Sequence, residues 1–221
     1  EQEGAGAVEQ PLGGPDLPAD PAPDRERALA HADAEEAHPG EGEHGQGGEA
    51  GEGGRRDGGA RMSLLAFNRT SGALLWDTAI PSSGVEHIYW KNSHASATAT
   101  TDGQRVYASF GTHGLAAFDF SGKLVWHTKL GDLSNYHGSA GSPVLYKDRL
   151  FLYQDHDGSA SLRSFVAAFD AKTGKTIWWK DRTETVGWGT PIVIQAGDHD
   201  ELIVSSQRHV YGYNPDTGAE L

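Results

Sequence analysis

Six side chains in three separate stretches of the chain have the chemistry of a ligand-binding site. They are aromatic, amide and imidazole groups: Trp90, Asn92, His94, Tyr136, His137 and Trp188. Aromatic rings offer flat apolar faces, while amide and imidazole groups offer hydrogen bonds. Such a set could bind a flat quinone, a sugar or a peptide. The same rings could instead fill the interior of the fold, as large aromatic side chains often do.

Two short acidic stretches resemble metal-binding loops without supplying a full set of ligands. Gln154-Asp155-His156-Asp157-Gly158 lacks the later ligands of an EF-hand, including its bidentate Glu, so we expect a turn at the edge of a blade. Asp198-His199-Asp200 is expected to form another turn between strands. The chain also lacks metal-type His-x-x-x-His spacing, a nucleophile elbow, a P-loop and a dinucleotide fingerprint. We therefore assign no metal ligand and no catalytic residue.

A short phrase that occurs three times and begins a fourth time indicates how the six side chains are positioned. Each copy has Asn or Asp, then Gly, and the first three end in Trp. The repeat residues are Asn68, Gly72 and Trp76; Asp119, Gly122 and Trp126; Asp170, Gly174 and Trp178; and Asn214 and Gly218. Successive glycines are 50, 52 and 44 residues apart, a period typical of propellers and solenoids.

Each copy predicts a β-hairpin. An alternating apolar run such as Val166-Ala167-Ala168-Phe169 comes before the Asn or Asp, whose side chain can hydrogen-bond the turn backbone. The Gly accepts the positive φ that closes the turn, and a second strand ends at the Trp. Two more strands per repeat follow Thr98-Ala99, Ser142-Pro143 and Thr190-Pro191.

Four antiparallel strands in about 50 residues form one propeller blade. Residues 62–221 are therefore predicted to be all-β, with about three blades of a partial β-propeller. The innermost strands of a propeller surround a central channel. The six candidate residues precede the predicted innermost strands, so we expect them at the rim of this channel.

Residues 1–61 differ in composition, and we expect them to be disordered. They contain no Phe, Tyr or Trp, and they carry 15 acidic and 5 basic side chains, which give −10 of the net charge of −13. Such a segment cannot bury enough apolar surface to offset the entropy of ordering its backbone. The alternatives are an acidic interaction tail and a metal-buffering tract that uses His31, His38 and His44.

Composition also argues against a nucleic-acid partner, a membrane-spanning helix and Cys-based cross-links. Residues 62–221 have a net charge of −3 and no cluster of Lys or Arg, so a nucleic-acid partner is not expected. The chain has no apolar run of the ~20 residues that a membrane-spanning helix needs. It also has no Cys, which excludes disulfides and Cys-ligated zinc.

The repeat resembles that of the pyrroloquinoline-quinone-type (PQQ-like) propellers, the superfamily of quinoprotein alcohol dehydrogenases and BamB-like proteins. Its pattern, Ala-x-Asp-x-x-Thr-Gly-Lys-x-x-Trp, is complete at 168–178. The first copy has Asn68, Ser71 and Ala73 in place of Asp, Thr and Lys, and the second is one residue shorter. In similar bacterial secreted proteins an insertion often lies between strands of an early blade, so residues 1–61 are such an insertion or a linker.

The resemblance implies two functions. The first is a non-catalytic binding or scaffolding propeller in the periplasm or outside the cell, with a protein, carbohydrate or other small-molecule ligand and no cofactor. The alternative is a PQQ- and calcium-dependent dehydrogenase of alcohols or sugars. Such enzymes stack the quinone on a disulfide between adjacent Cys residues, which this chain does not have. The resemblance also implies seven or eight blades in the complete protein. We therefore expect this chain to be a fragment that lacks further blades, with a fourth copy cut short at Leu221.

Overall fold

A computed structural model describes residues 29–34, 61–82, 85–133, 135–156 and 163–221. These ranges form β-strands joined by turns, with one short 3-10 helix at Gly111–His113. The strands are β1 (Leu29–Ala34), β2 (Met62–Phe67), β3 (Leu74–Ala79), β4 (Thr100–Thr101), β5 (Arg105–Ser109), β6 (Leu115–Asp119), β7 (Leu124–Thr128), β8 (Val144–Tyr146), β9 (Arg149–Gln154), β10 (Phe165–Asp170), β11 (Thr176–Asp181), β12 (Ile192–Ala196), β13 (His199–Ser205) and β14 (Val210–Tyr213). No helix in the described ranges has the length and apolar character needed to span a membrane.

The strands form four antiparallel sheets that follow one another along the chain. β4–β7 and β8–β11 are complete four-stranded sheets, whereas β1–β3 and β12–β14 have three strands each. We number them blades 1 (β1–β3), 2 (β4–β7), 3 (β8–β11) and 4 (β12–β14). Within each sheet, neighbouring strands in space are neighbours in sequence. This arrangement confirms the predicted partial propeller of four-stranded blades.

Strand β1 lies inside the acidic segment that the composition predicts to be disordered. All six of its residues pair with β2, from Leu29 opposite Phe67 to Ala34 opposite Met62. Without β1, the backbone groups on that side of β2 would be unpaired, which favours the addition of a strand. The structure thus has one strand where the composition does not predict it, and disorder in the rest of the segment stays a prediction. Residues 1–28 and 35–60, which include His38 and His44, lie outside the described residues.

The repeated turns form as the sequence predicts. In blade 3, the carboxylate of Asp170 accepts hydrogen bonds of 2.7 Å from the backbone N–H and from the hydroxyl of Thr173. Gly174 closes the turn with φ of 70°, a conformation that only Gly adopts without strain. A bulge shifts the strand register just before this turn, between Ala168 and Phe169. Equivalent shifts occur between Ala66 and Phe67 and between Ala117 and Phe118.

Each repeat Trp connects its own blade to the next one. The indole N–H of Trp76 donates to the carbonyl of Phe120 at 3.2 Å, Trp126 donates to Ala171 at 3.1 Å, and Trp178 donates to Pro215 at 3.0 Å. The three acceptors lie at equivalent places in the following turns. The prediction that these Trp residues occupy equivalent positions on successive blades is therefore confirmed.

The hydrophobic core lies between consecutive blades. Blades 1 and 2 enclose Leu64, Phe110 and Phe118, and blades 2 and 3 enclose a cluster that includes Tyr107 and Phe165. Blades 3 and 4 enclose Phe151, Tyr153, Trp178, Leu202 and Val204. Burial of these faces supplies the main stabilising contribution to the stack.

The candidate site residues lie at one end of the blades. Antiparallel strands alternate in direction, so the loops that enter the first strand of a blade emerge at the same end as the loops between its second and third strands. We call the described residues of three segments the rim loops, because these segments enter β4, β8 and β12: 80–82 with 85–99, 129–133 with 135–143, and 182–191. The loop between β13 and β14 reaches the same end and contributes to the site.

Candidate functional site

Hydrogen bonds hold the first two rim loops together. The N–H of Tyr89 donates to the carbonyl of Tyr136 at 2.7 Å, and the amide nitrogen of Asn92 donates to the carbonyl of His137 at 2.9 Å. The rings of Tyr89 and Tyr136 lie 5.5 Å apart. The loop that enters blade 2 therefore positions the loop that enters blade 3, and the Asn92 amide serves in this connection.

Trp188 connects the third rim loop to the second. Its indole N–H donates to the carbonyl of Gly138 at 3.2 Å. The ring of His137 meets the Trp188 ring edge-on, with centroids 5.6 Å apart, a favourable geometry for aromatic pairs. Tyr136, His137 and Trp188 thus form a continuous aromatic surface across two blades.

Trp90 and His94 occupy different surroundings from the other predicted site residues. Trp90 lies beside Tyr89, with ring centroids 6.0 Å apart, and the Lys91 ammonium sits 4.9 Å from the centre of the Trp90 ring. His94 donates from Nε2 to the carbonyl of Glu86 at 2.7 Å. The structure therefore brings together Asn92, Tyr136, His137 and Trp188, leaves Trp90 at the margin, and uses His94 to hold its own loop.

A cleft of about 560 Å³ opens between the second and third rim loops and the loop between β13 and β14. Its walls combine the aromatic surface with amide and hydroxyl groups. The lining residues are Asn135, Tyr136, His137, Val186, Gly187, Trp188, Gly189, Ser205, Ser206 and Gln207. The volume falls within the range of about 300–1,000 Å³ that is usual for small-molecule sites.

Two glycines in the lining are required by close packing beneath the cleft. A Cβ atom on Gly189 would lie 2.5 Å from the hydroxyl oxygen of Tyr153, and a Cβ on Gly187 would lie 2.9 Å from a carboxylate oxygen of Asp155. Any side chain at these positions would displace the layer below. The loop that carries Trp188 is therefore seated directly on the ends of the blade 3 strands.

A buried ion pair lies beneath the cleft. Arg182 Nε donates to Asp155 at 2.9 Å, and a second nitrogen donates to the other carboxylate oxygen at 3.2 Å. Arg182 also donates to the hydroxyls of Tyr213 and Ser206, and Ser206 donates to Asp155 at 2.7 Å. Both charged side chains are almost completely buried. This network joins blades 3 and 4 and neutralises the charge of each partner.

The prediction of a turn at the edge of a blade is wrong for Asp155, because its side chain is an interior group that pairs with Arg182. The expected turn of Asp198-His199-Asp200 is shorter than predicted, since β13 begins at His199. Asp200 accepts hydrogen bonds from Tyr146 and Lys147, which lie in blade 3. Asp157 and Gly158 lie outside the described residues. In the described ranges, no three His, Asp or Glu side chains converge as metal ligands.

Two carboxylates connect rim loops to the blades that follow them. Glu184 accepts a 2.6 Å hydrogen bond from the Tyr211 hydroxyl and lies 3.2 Å from His209 Nδ1. The Tyr211 hydrogen bond, followed by that of His209, lowers the pKa of Glu184.

Glu86 lies in the loop that enters blade 2, as Glu184 lies in the loop that enters blade 4. The Glu86 carboxylate lies 3.4 Å from His113 Nε2 in blade 2. Burial raises the pKa of Glu86, but its interactions with His113 and other donors prevail and lower it.

The sequence identified the aromatic surface but not the other half of the cleft. Ser205 ends β13 and Ser206 and Gln207 follow it, and a search limited to the loops before the innermost strands does not reach them. Asp155 and Arg182 are 27 residues apart, and only the return of the chain through β10 and β11 brings them together. One available signal was the polar Ser205-Ser206-Gln207 stretch that directly follows the apolar run Leu202-Ile203-Val204.

Residues 60–221 match the sequence profile of the family described as outer membrane protein assembly factor BamB. No curated protein matches the chain at a significant level. This profile covers every residue of the four blades except those of β1.

The solved structures of two alcohol dehydrogenases share the fold. A europium-containing methanol dehydrogenase superposes with a TM-score of 0.50 and 16% identity, over 72% of this chain and 37% of that protein. The quinohemoprotein alcohol dehydrogenase from Comamonas testosteroni gives 0.53 and 14%, over 73% and 32%. BamB from Moraxella catarrhalis gives 0.46 and 21%, over 73% and 47%. The chain thus spans 32–47% of the length of these proteins, and the likeness to the two dehydrogenases concerns the fold.

Proposed function

Since the chain belongs to the BamB family of PQQ-like propellers, we propose that it is a non-catalytic propeller that binds its ligand at the rim, in the periplasm or outside the cell. The family description, which refers to outer-membrane protein assembly, supports this location. On this proposal, the blades supply a rigid frame and the rim loops supply the binding surface.

The observation that carries the proposal is an exposed aromatic surface on fixed loops. Tyr136 and Trp188 are 56% and 42% exposed, although hydrogen bonds between blades hold their loops in place. Exposed aromatic groups at a concave site are typical of ligand contact rather than of a folded interior. Because the loops are already fixed, binding would not incur the entropy cost of ordering them.

The alternative is a quinone- and calcium-dependent dehydrogenase, which the fold shared with two alcohol dehydrogenases supports. Calcium requires several converging oxygen ligands, commonly carboxylates, and an anionic quinone requires cations. The cleft is lined by neither Asp or Glu nor Lys or Arg, and Arg182, which lies beneath it, is paired with Asp155. The lining therefore does not fit the cofactor, and we derive no redox step from it.

Purified full-length protein can distinguish the two functions. We expect neither calcium-dependent binding of pyrroloquinoline quinone, measured by fluorescence, nor reduction of an acceptor dye with alcohols or aldoses. Amide exchange of the rim loops, followed during titration with periplasmic extract, should show protection that a Trp188→Ala variant loses. Phe120→Ala is the matched control, because Phe120 is also exposed but lies in a turn at the opposite end of the blades. Tight calcium-dependent quinone binding with dye reduction would overturn the proposal.

A further inference from the structure

We propose that the cleft between Trp188 and Gln207 binds an uncharged saccharide. This inference rests on the proposed binding function and specifies the class of ligand. It follows from three properties of the lining: its charge, its polar groups and its aromatic faces.

The lining contains no carboxylate, ammonium or guanidinium group. Asp155 and Arg182, which both contact the lining residue Ser206, are almost completely buried and neutralise each other. A charged ligand would lose its hydration in this cleft and find no opposite charge, which is strongly unfavourable. The cleft therefore selects against acidic or basic ligands.

The polar groups of the cleft match the hydroxyl groups of a sugar. The Thr185 hydroxyl donates to Gln207 Oε1 at 3.0 Å. This hydrogen bond uses the amide oxygen of Gln207, so the amide N–H groups can donate to a ligand. Ser205 contributes a hydroxyl that can both donate and accept. Amide and hydroxyl groups bind sugar hydroxyls in both senses, whereas an apolar ligand would leave them without partners.

The aromatic faces supply a surface on which a sugar ring can stack. Trp188 is positioned by its hydrogen bond to Gly138 and by its edge-to-face contact with His137, while part of its surface stays exposed. The face of an aromatic ring carries negative partial charge, and the C–H groups on one side of a pyranose ring carry positive partial charge. A sugar stacked on Trp188 would keep its hydroxyls within reach of the loop after β13.

The test is titration of the full chain with neutral oligosaccharides, namely maltotriose, cellotriose and tri-N-acetylchitotriose, followed by tryptophan fluorescence and by amide exchange. We expect at least one to bind and to protect residues 185–189 and 205–207. Trp188→Ala and Gln207→Ala should each weaken binding by about tenfold or more, equivalent to about 1.4 kcal/mol. Phe120→Ala should leave it unchanged, and tri-galacturonate should bind more weakly than the neutral sugars.

Three outcomes would overturn the saccharide proposal. The first is sugar binding that persists in both cleft variants, and the second is equal or tighter binding of tri-galacturonate. The third is no binding of any of these sugars while a peptide or protein protects the same loops, which would leave the binding function intact. Calcium-dependent quinone binding with dye reduction would instead overturn the proposed function itself.

Discussion

The indole ring of Trp126 packs against the backbone of Gly174 in the next blade. A Cβ atom on Gly174 would lie 2.5 Å from the ring, while the indole N–H donates to Ala171 in the same turn. Thr128 adds a hydrogen bond of 2.7 Å to the carbonyl of Gly174. The glycine thus has two roles, because it both closes its own turn and admits the Trp of the preceding blade.

These two roles can be separated by comparing Gly174→Ala with Gly72→Ala. Both glycines have φ near 70°, but a Cβ on Gly72 would meet nothing within 4 Å. We expect Gly72→Ala to lower the free energy of unfolding by about 1–2 kcal/mol, from backbone strain alone. Gly174→Ala should lower it by about a further 1–3 kcal/mol, because the Trp126 ring must also move.

Urea unfolding of the two variants, monitored by circular dichroism, measures the difference. Gly174→Ala should cost less in a Trp126→Leu protein than in the wild type, since the bulky neighbour is then gone. Equal losses in Gly174→Ala and Gly72→Ala would contradict the assigned role of Gly174 between blades.

The features that repeat locally could be predicted from the sequence, whereas those that depend on distant partners could not. Asp170, Gly174 and Trp178 act within one hairpin and the adjacent turn, and their spacing alone indicates both. The polar sequence around Asp155 predicts a turn at the edge of a blade. Its pairing with Arg182 depends on the path of two intervening strands, which no local pattern records.

The buried pair of Asp155 and Arg182 should be strongly coupled. Asp155→Asn leaves the Arg182 guanidinium buried without its counter-charge, so we expect it to lower the free energy of unfolding by about 3–5 kcal/mol. The control is Asp200→Asn, which removes the partner of Lys147 at an exposed ion pair of 3.1 Å. We expect that change to lower the free energy of unfolding far less, because solvent screens an exposed ion pair.

A double variant tests whether the loss comes from an unpaired charge. Asp155→Leu with Arg182→Met should be more stable in urea than Asp155→Asn, because neither buried charge remains. A double variant that is less stable than Asp155→Asn would show that the hydrogen bonds to Tyr213 and Ser206 matter more than charge balance.

The pairing of β1 with β2 can be tested with two truncated proteins. Removal of residues 1–27 leaves β1 in place, whereas removal of residues 1–60 takes it away. We expect slow amide exchange on β2 (Met62–Phe67) to survive the first truncation and to be lost in part in the second, because one side of β2 would be unpaired. Identical protection of β2 in the two proteins would show that β1 contributes nothing in solution.

The Glu184 carboxylate should make the contact between blades 3 and 4 sensitive to acid. The Tyr211 hydrogen bond, together with His209, lowers the pKa of Glu184 below its ordinary value of 4.5. A carboxyl group whose pKa is lower in the folded state stabilises the fold above its unfolded pKa, and the stabilisation is lost as the pH falls through the folded pKa.

Glu184→Gln removes this titration and retains the size of the side chain. We therefore expect the wild type to lose its advantage over Glu184→Gln, measured by urea unfolding, as the pH is lowered from 7 to below about 4.5. Glu201→Gln is the control, because it makes the same carboxylate-to-amide change in blade 4 at a residue that does not hydrogen-bond Tyr211. A difference between wild type and Glu184→Gln that stays constant from pH 7 to pH 3 would show that the Glu184 carboxylate gains nothing from Tyr211 and His209 in the folded protein.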